Sequence, residues 1–321
     1  MNSVDEAVTV ETVIFAGCPV PSSTFVAWQR HWAPPAQPFF VGDALAQRLP
    51  PWPRFTRREF GGSGVSLSLH DTFATYNVVS DPPWVVWLTC EAFFSLEQAE
   101  RLELLQAQRS FGRAGVVHLD EVADQFDITR IAALTTDGYF VWWSRLWWLL
   151  HESERERVLR TFVETDRLSC RRNELSPSHW QRSASHLPGA RKLAGSFLPE
   201  SGGNCLATVM AAFGAPAVAE RWVHPEPFER WLEQFSLSES VRTAEPFALG
   251  RVLVWRDDNA RVQHAAVSLG EGFVLHKEAQ GWYAPRQVSG LEDVLARWQD
   301  VGHLSLYEPI KEAQTRSALG L

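Results

Sequence analysis

A chain of 321 residues, 45% of them apolar, has the material for one or two well-filled cores, which excludes intrinsic disorder. Thirty basic against 38 acidic side chains leave a formal charge of -8, which argues against a general nucleic-acid binder or a protein held to an anionic membrane. Cys18, Cys90, Cys170 and Cys205 are scattered without a CxxC pair, so neither a zinc knuckle nor a disulfide framework is expected, and a reducing, cytoplasmic setting fits.

Asp5, Glu6 and Glu11 precede a short apolar run from Val13 to Gly17, the wrong charge and too brief for a secretory signal. Phe15-Ala16-Gly17-Cys18 looks like the end of a lipoprotein signal, but it lacks a basic start and a full apolar stretch, so Cys18 is expected to carry no lipid. As far as Arg58 the prolines and aromatics read as irregular, packed structure. Val65 to His70 alternates as a half-buried strand with His70 on its solvent side, and Trp84 to Leu88 makes a second strand. Ser95 opens a helix in which Gln98 completes a capping box and Leu96, Ala99, Leu102 and Leu105 form the apolar stripe.

Leu119 to Leu134 reads as two short helices broken at Asp127. Drawn as a helix-turn-helix they would suit DNA, but an acidic chain does not, and core packing accounts for the spacing; no nucleic-acid partner is expected. Trp143, Trp147, Leu150 and Val158 are expected to face inward, with Glu152 to Arg157 as a solvated face. Fifteen tryptophans read as core filling rather than as a stacking platform. No run reaches the length of a membrane span, since Tyr139 to Leu150 is interrupted by Ser144 and Arg145.

Between Cys170 and Pro199 the composition turns to Arg, Ser, Asn and Gln, and a boundary is placed there: a Trp-rich mixed α/β region over 1–185 and a second domain over 186–321. His179 and His186 in that stretch read as surface residues, and no metal site is expected. The second domain reads as α+β, a cysteine-bearing helix packed on an antiparallel sheet. Pro227 starts a helix with Phe228, Trp231 and Leu232 on its apolar face, and Arg251 to Trp255 is a strand. A strand-like piece runs from Gly281 to Val288, and Ser289 with Glu292 caps a helix carrying Leu291, Val294, Leu295 and Trp298. His303 to Tyr307 completes the sheet.

Chemistry concentrates at Ser201-Gly202-Gly203-Asn204-Cys205. Leu206, Val209, Met210 and Phe213 recur at helical spacing behind it, so Cys205 sits in a first turn, where unpaired N–H groups and the helix dipole favour a thiolate. His264 and His276 flank a Gly-containing turn in two β-type runs, and an odd-length loop puts both on one face of the hairpin, opposite or diagonal. His264 is then the base for the Cys205 thiol, and His276 holds its other ring nitrogen. Each of the three residues alone has an ordinary structural explanation, and a buried cysteine at a helix start is common.

The stretch from Gly202 to Tyr307 resembles the NlpC/P60 superfamily of papain-like cysteine peptidases. The helix-capping Cys205 is carried by it, as is Leu249-Gly250-Arg251-Val252-Leu253-Val254-Trp255, which looks like that family's Pro-Gly-Asp-hydrophobic strand. His264-Ala265-Ala266-Val267-Ser268-Leu269-Gly270-Glu271-Gly272 resembles its histidine strand, and His276 stands at its third-residue position. The resemblance implies hydrolysis of an amide through a Cys205–His264–His276 triad and a thioester, without metal or organic cofactor, with a peptide or amide, of the cell-wall type in the family, as substrate. Asn204, Leu206 and Ala207 replace the family's usual Asp and Ser-Gly around the cysteine, and Arg251 replaces its acidic strand residue, so the neighbours that read the peptide differ. An acyltransferase using the same triad and a retired peptidase fold serving as a binding or scaffold module stay open.

Overall fold

The first strands of the chain belong with its last. The computed structural model describes residues 12–61, 64–73, 78, 81–238 and 247–309, so the acidic start through Glu11 lies outside the described residues. Contacts gather into two units: residues 26–162, and a discontinuous unit of 1–25 with 163–321. The expected boundary at 185/186 therefore moves to 162/163, inside the helix Glu152–Glu164. Long-range hydrogen bonds explain the move. In the hairpin of β1 (Thr12–Phe15) and β2 (Cys18–Pro21), Ala16 donates its N–H to the Glu164 carboxylate at 2.9 Å and accepts from Cys170 N–H at 2.8 Å. The polar stretch after Cys170 is no free linker either: Arg171 N–H reaches Val288 O at 2.8 Å, and Gly195 and Ser196 exchange bonds with Arg286.

Within residues 26–162, β3 (Ala36–Val41), β4 (Arg54–Thr56) and β5 (Trp84–Thr89) form an antiparallel sheet in the order β3-β5-β4, and β6 (Val116–His118) pairs with β7 (Tyr139–Val141). Trp143, Trp147, Leu150 and Val158 are buried, as their spacing implies. Three local expectations fail. Val65 to His70 is not a strand: Leu67–Phe73 is a helix, started by Ser66, whose side chain accepts from Leu69 N–H at 3.3 Å, and His70 packs on Phe60. The helix Gln98–Ser110 is boxed by Glu97 and Glu100 instead of Ser95 and Gln98, because Ser95 turns its hydroxyl back to Ala92 O. Residues 119–134 make three 3-10 turns, with Asp127 capping the second, and no helix-turn-helix.

The other unit is α+β. Its sheet comprises β8 (Ser236–Ser238), β9 (Val252–Arg256), β10 (Val262–Gly270), β11 (Phe273–Lys277), β12 (Arg286–Gly290) and β13 (His303–Pro309), all antiparallel, in the order β12-β11-β10-β9-β13-β8. The strand expected from Gly281 starts only at Arg286; Gly281 to Ala284 is a turn closed by Ala284 N–H on Gly281 O. Gly270 and Gly272 take φ of 75° and 79° at the β10–β11 turn, conformations that a side chain resists, and this turn fixes the register.

Register then decides which side chains share a face. Trp255 pairs with His264, Leu253 with Ala266, Ala266 with His276, and His276 with Gln287. These residues lie on one face, against which the helix Leu291–Trp298 packs Leu291, Val294, Leu295 and Trp298 beside Leu253, Trp255, Ala266 and Leu306. The helix Cys205–Ala212, buried along its whole length, packs on β10 and β11.

Candidate catalytic centre

Cys205 is the first residue of its helix, as its sequence implies. Asn204 caps that helix through Oδ1, which accepts from Ala207 N–H at 3.0 Å, while its Nδ2 donates to Val223 O at 2.8 Å. The preceding loop is pinned on both sides. Gly202 N–H bonds Gln280 O at 3.0 Å, Trp282 N–H bonds Ser201 Oγ at 3.1 Å, and a Cβ at Gly203 would stand 2.0 Å from Ala219 O. Glycines are required there because the backbone of 219–220 passes where side chains would be.

Cys205 is 8% exposed, and the amides of Ala265, Leu206 and Cys205 itself act on its sulfur to favour the thiolate. Ala265 directly follows His264. These donors and the Lys277 cation favour a thiolate, but burial outweighs them and pushes the thiol above its ordinary value. The helix start therefore does not give the low thiol pKa expected from sequence. Lys277 itself is buried, its ammonium donating to Ala279 O and Gly281 O.

The two histidines meet as the hairpin spacing implies, diagonally across β10 and β11. His264 Nε2 lies 3.3 Å from His276 Nδ1, and the rings stand edge to face. His276 Nε2 lies 3.1 Å from Ser289 Oγ and 3.3 Å from the Gln287 side-chain nitrogen. Trp298 stacks flat on His264 at 3.7 Å. Among the described residues, His264 Nδ1 is buried without a hydrogen-bond partner, so its ring makes no hydrogen bond to the Cys205 sulfur. Burial and the neighbouring His276 hold His264 well below the usual imidazole range, and burial with the Arg297 charge pushes His276 down to about 3. At neutral pH the centre holds a thiol and two neutral rings.

Sequence reasoning missed four contributors. Ser289 was expected to cap a helix, but Gly290 holds that position and the Ser289 hydroxyl serves His276. Gln287 was legible only as the cross-strand partner of His276. Trp298 belongs to the apolar stripe that the sequence does reveal, and nothing in the sequence singles out Lys277. Elsewhere, His179 is buried rather than exposed, with Nδ1 at 3.2 Å from Glu271. Cys18 is fully buried in β2 against Cys170; the Cys18 hydrogen bond, amides of Val288 and Arg172, and the Arg172 charge draw the Cys170 thiol down to about 6.

Among the described residues no helix is long and apolar enough to cross a membrane. Comparisons with protein-family models, curated proteins and solved structures return no match to the chain.

Proposed function

We propose that the chain is a thiol hydrolase, a cysteine peptidase or amidase of papain-like, NlpC/P60-type architecture. Cys205 is its nucleophile, His264 its base and His276 the residue that orients the base. The reading rests on one observation above the others: the amide of Ala265, next to His264, favours the Cys205 thiolate, while the His264 nitrogen not engaged by His276 is buried without a hydrogen-bond partner among the described residues. Because the thiol is raised and the ring lowered, the proton leaves sulfur for His264 Nδ1 as the carbon–sulfur bond forms, with no standing thiolate beforehand. Amides at the helix start, Leu206 and Cys205 among them, are donors suited to a developing oxyanion. The imidazolium next returns its proton to the leaving amine, and water, deprotonated by the same ring, releases the acid from the thioester.

Amides of peptides, cell-wall stem peptides included, are the substrates to try first. The test is release of fragments from a panel of such peptides, followed by mass spectrometry, by wild type, Cys205→Ala and His264→Ala. Turnover lost in both variants supports the reading; turnover that survives Cys205→Ala overturns it. The depth at which Cys205 is sealed favours a second reading, a retired peptidase fold kept as a binding or scaffold module. In that case no panel member is cleaved and an acyl-type electrophile leaves Cys205 unmodified.

A further inference from the structure

In the proposed reaction the proton must arrive on His264 Nδ1, because Nε2 is engaged with His276. A neutral imidazole carries one N–H, so a bare Nδ1 requires the proton on His264 Nε2, donated to His276 Nδ1. His276 must then carry its own proton on Nε2 and needs an acceptor there. Two side chains meet that nitrogen, Ser289 Oγ at 3.1 Å and the Gln287 amide nitrogen at 3.3 Å. A hydroxyl oxygen accepts. An amide NH2 only donates, and it stabilises the reverse set, in which His276 donates from Nδ1 and His264 Nδ1 is blocked by its own hydrogen. The two neighbours ask for opposite tautomers. Gln287 also holds the remedy: its Oε1 is buried without a partner, and a half-turn of the amide brings that oxygen to where the nitrogen now stands.

We propose that Ser289 is the positioning residue that ends this relay, accepting from His276 Nε2 and so keeping His264 Nδ1 bare for the Cys205 proton, with Gln287 Oε1 as its second acceptor. The proposal rests on the reading of Cys205 and His264 as nucleophile and base. Solvent does not stand in for the hydroxyl, since His264, His276, Gln287 and Ser289 are each at most 1% exposed and Trp298 covers the first ring. The tautomer is therefore set by protein groups alone, and loss of one acceptor is felt along the whole line.

The deciding measurement is the histidine tautomer by long-range proton–nitrogen NMR on 15N-histidine-labelled protein at neutral pH. Wild type should show His264 protonated on Nε2 and bare on Nδ1; a hydrogen on Nδ1 overturns the proposal before any variant is made. Ser289→Ala should move the proton to Nδ1, and Ser289→Thr, which keeps the hydroxyl, should restore it. Cys205 alkylation by iodoacetamide at pH 8 should slow at least tenfold in Ser289→Ala, up to the roughly 10²–10⁴-fold that a general base itself contributes. An unchanged tautomer in a folded Ser289→Ala protein refutes the role. Alkylation indifferent to His264→Ala refutes the thiol-hydrolase reading instead, and the wild-type tautomer separates the two failures.

Discussion

Burying two neutral imidazoles makes the protein acid-labile in a defined window. An unfolded histidine titrates near 6.5, whereas His276 in the fold titrates at about 3 and His264 well below 6.5. Between the folded and unfolded values the unfolded chain binds more protons, so stability is intact above 6.5 and falls as the pH drops through it. At pH 5 the loss from His276 is about 1.5 pH units at 1.36 kcal/mol each, or about 2 kcal/mol, and His264 adds to it in the same direction. That is a large part of the 5–15 kcal/mol typical of a domain. Carboxylates do not blur the window. Glu271, held down by His179, and Glu174, held down by Arg171, lose their contributions only below the ordinary carboxylate range. Urea midpoints followed by tryptophan fluorescence at pH 7.5, 6.5, 5.5 and 5.0 measure the slope, with His264→Gln/His276→Gln as the reference that should start lower and stay flatter. A wild-type midpoint constant from pH 7.5 to 5.0, or an equal slope in the double variant, would show that the rings are not carried neutral into the core.

Three further outcomes follow from the geometry. Alkylation with peptide mapping across pH 5–9 should find Cys170 gaining reactivity at lower pH than Cys205, which is still rising at pH 9; labelling of Cys205 ahead of Cys170 at pH 7 contradicts the electrostatics. Gly203→Ala drives a Cβ into Ala219 O and should cost about 1–3 kcal/mol as a lower urea midpoint, an unchanged midpoint showing that the 219–220 backbone yields freely. Asn204→Asp introduces the residue usual in the NlpC/P60 family but removes the donor to Val223 O and buries a charge at the start of the Cys205 helix. It should lower stability by about 1–3 kcal/mol and raise the Cys205 thiol further, and a variant as stable as wild type removes that explanation for the asparagine.

What was legible in the sequence was local and periodic. The alternation through His264 and His276 and the glycines between them determine a hairpin register, so the meeting of the two rings needed no tertiary information. Helical spacing behind Asn204 likewise places Cys205 in a first turn. Errors arose where two local rules compete or where distant partners decide. Val65 to His70 alternates, but the Ser66 cap starts a helix; Ser289 fits a capping box, but it sits on β12 facing His276. The domain boundary was lost because composition marks 170–199 as polar, whereas its backbone pairs with Val288 and Arg286 and its leading cysteine pairs with Ala16.

The thiols show most clearly how a correct local rule is overruled. A helix N-terminus does lower a cysteine pKa, and at Cys205 the amide donors act in that direction, but desolvation is a property of everything packed around the residue and it wins. Cys170 has no helix start to announce it. Its thiol is drawn down because Cys18 and the Val288 amide, both distant in sequence, converge on it beside the neighbouring Arg172. Cys205 is a sealed thiol held above its ordinary value, and the imidazoles of His264 and His276 stay neutral at rest. Any catalysis there must begin with an event that brings a carbonyl to Cys205 while the Gly202–Cys205 loop, pinned by Gln280 and Trp282, gives way. In the proposed reaction the contacts of that loop, as well as the three residues themselves, would govern how often the thiol is reached.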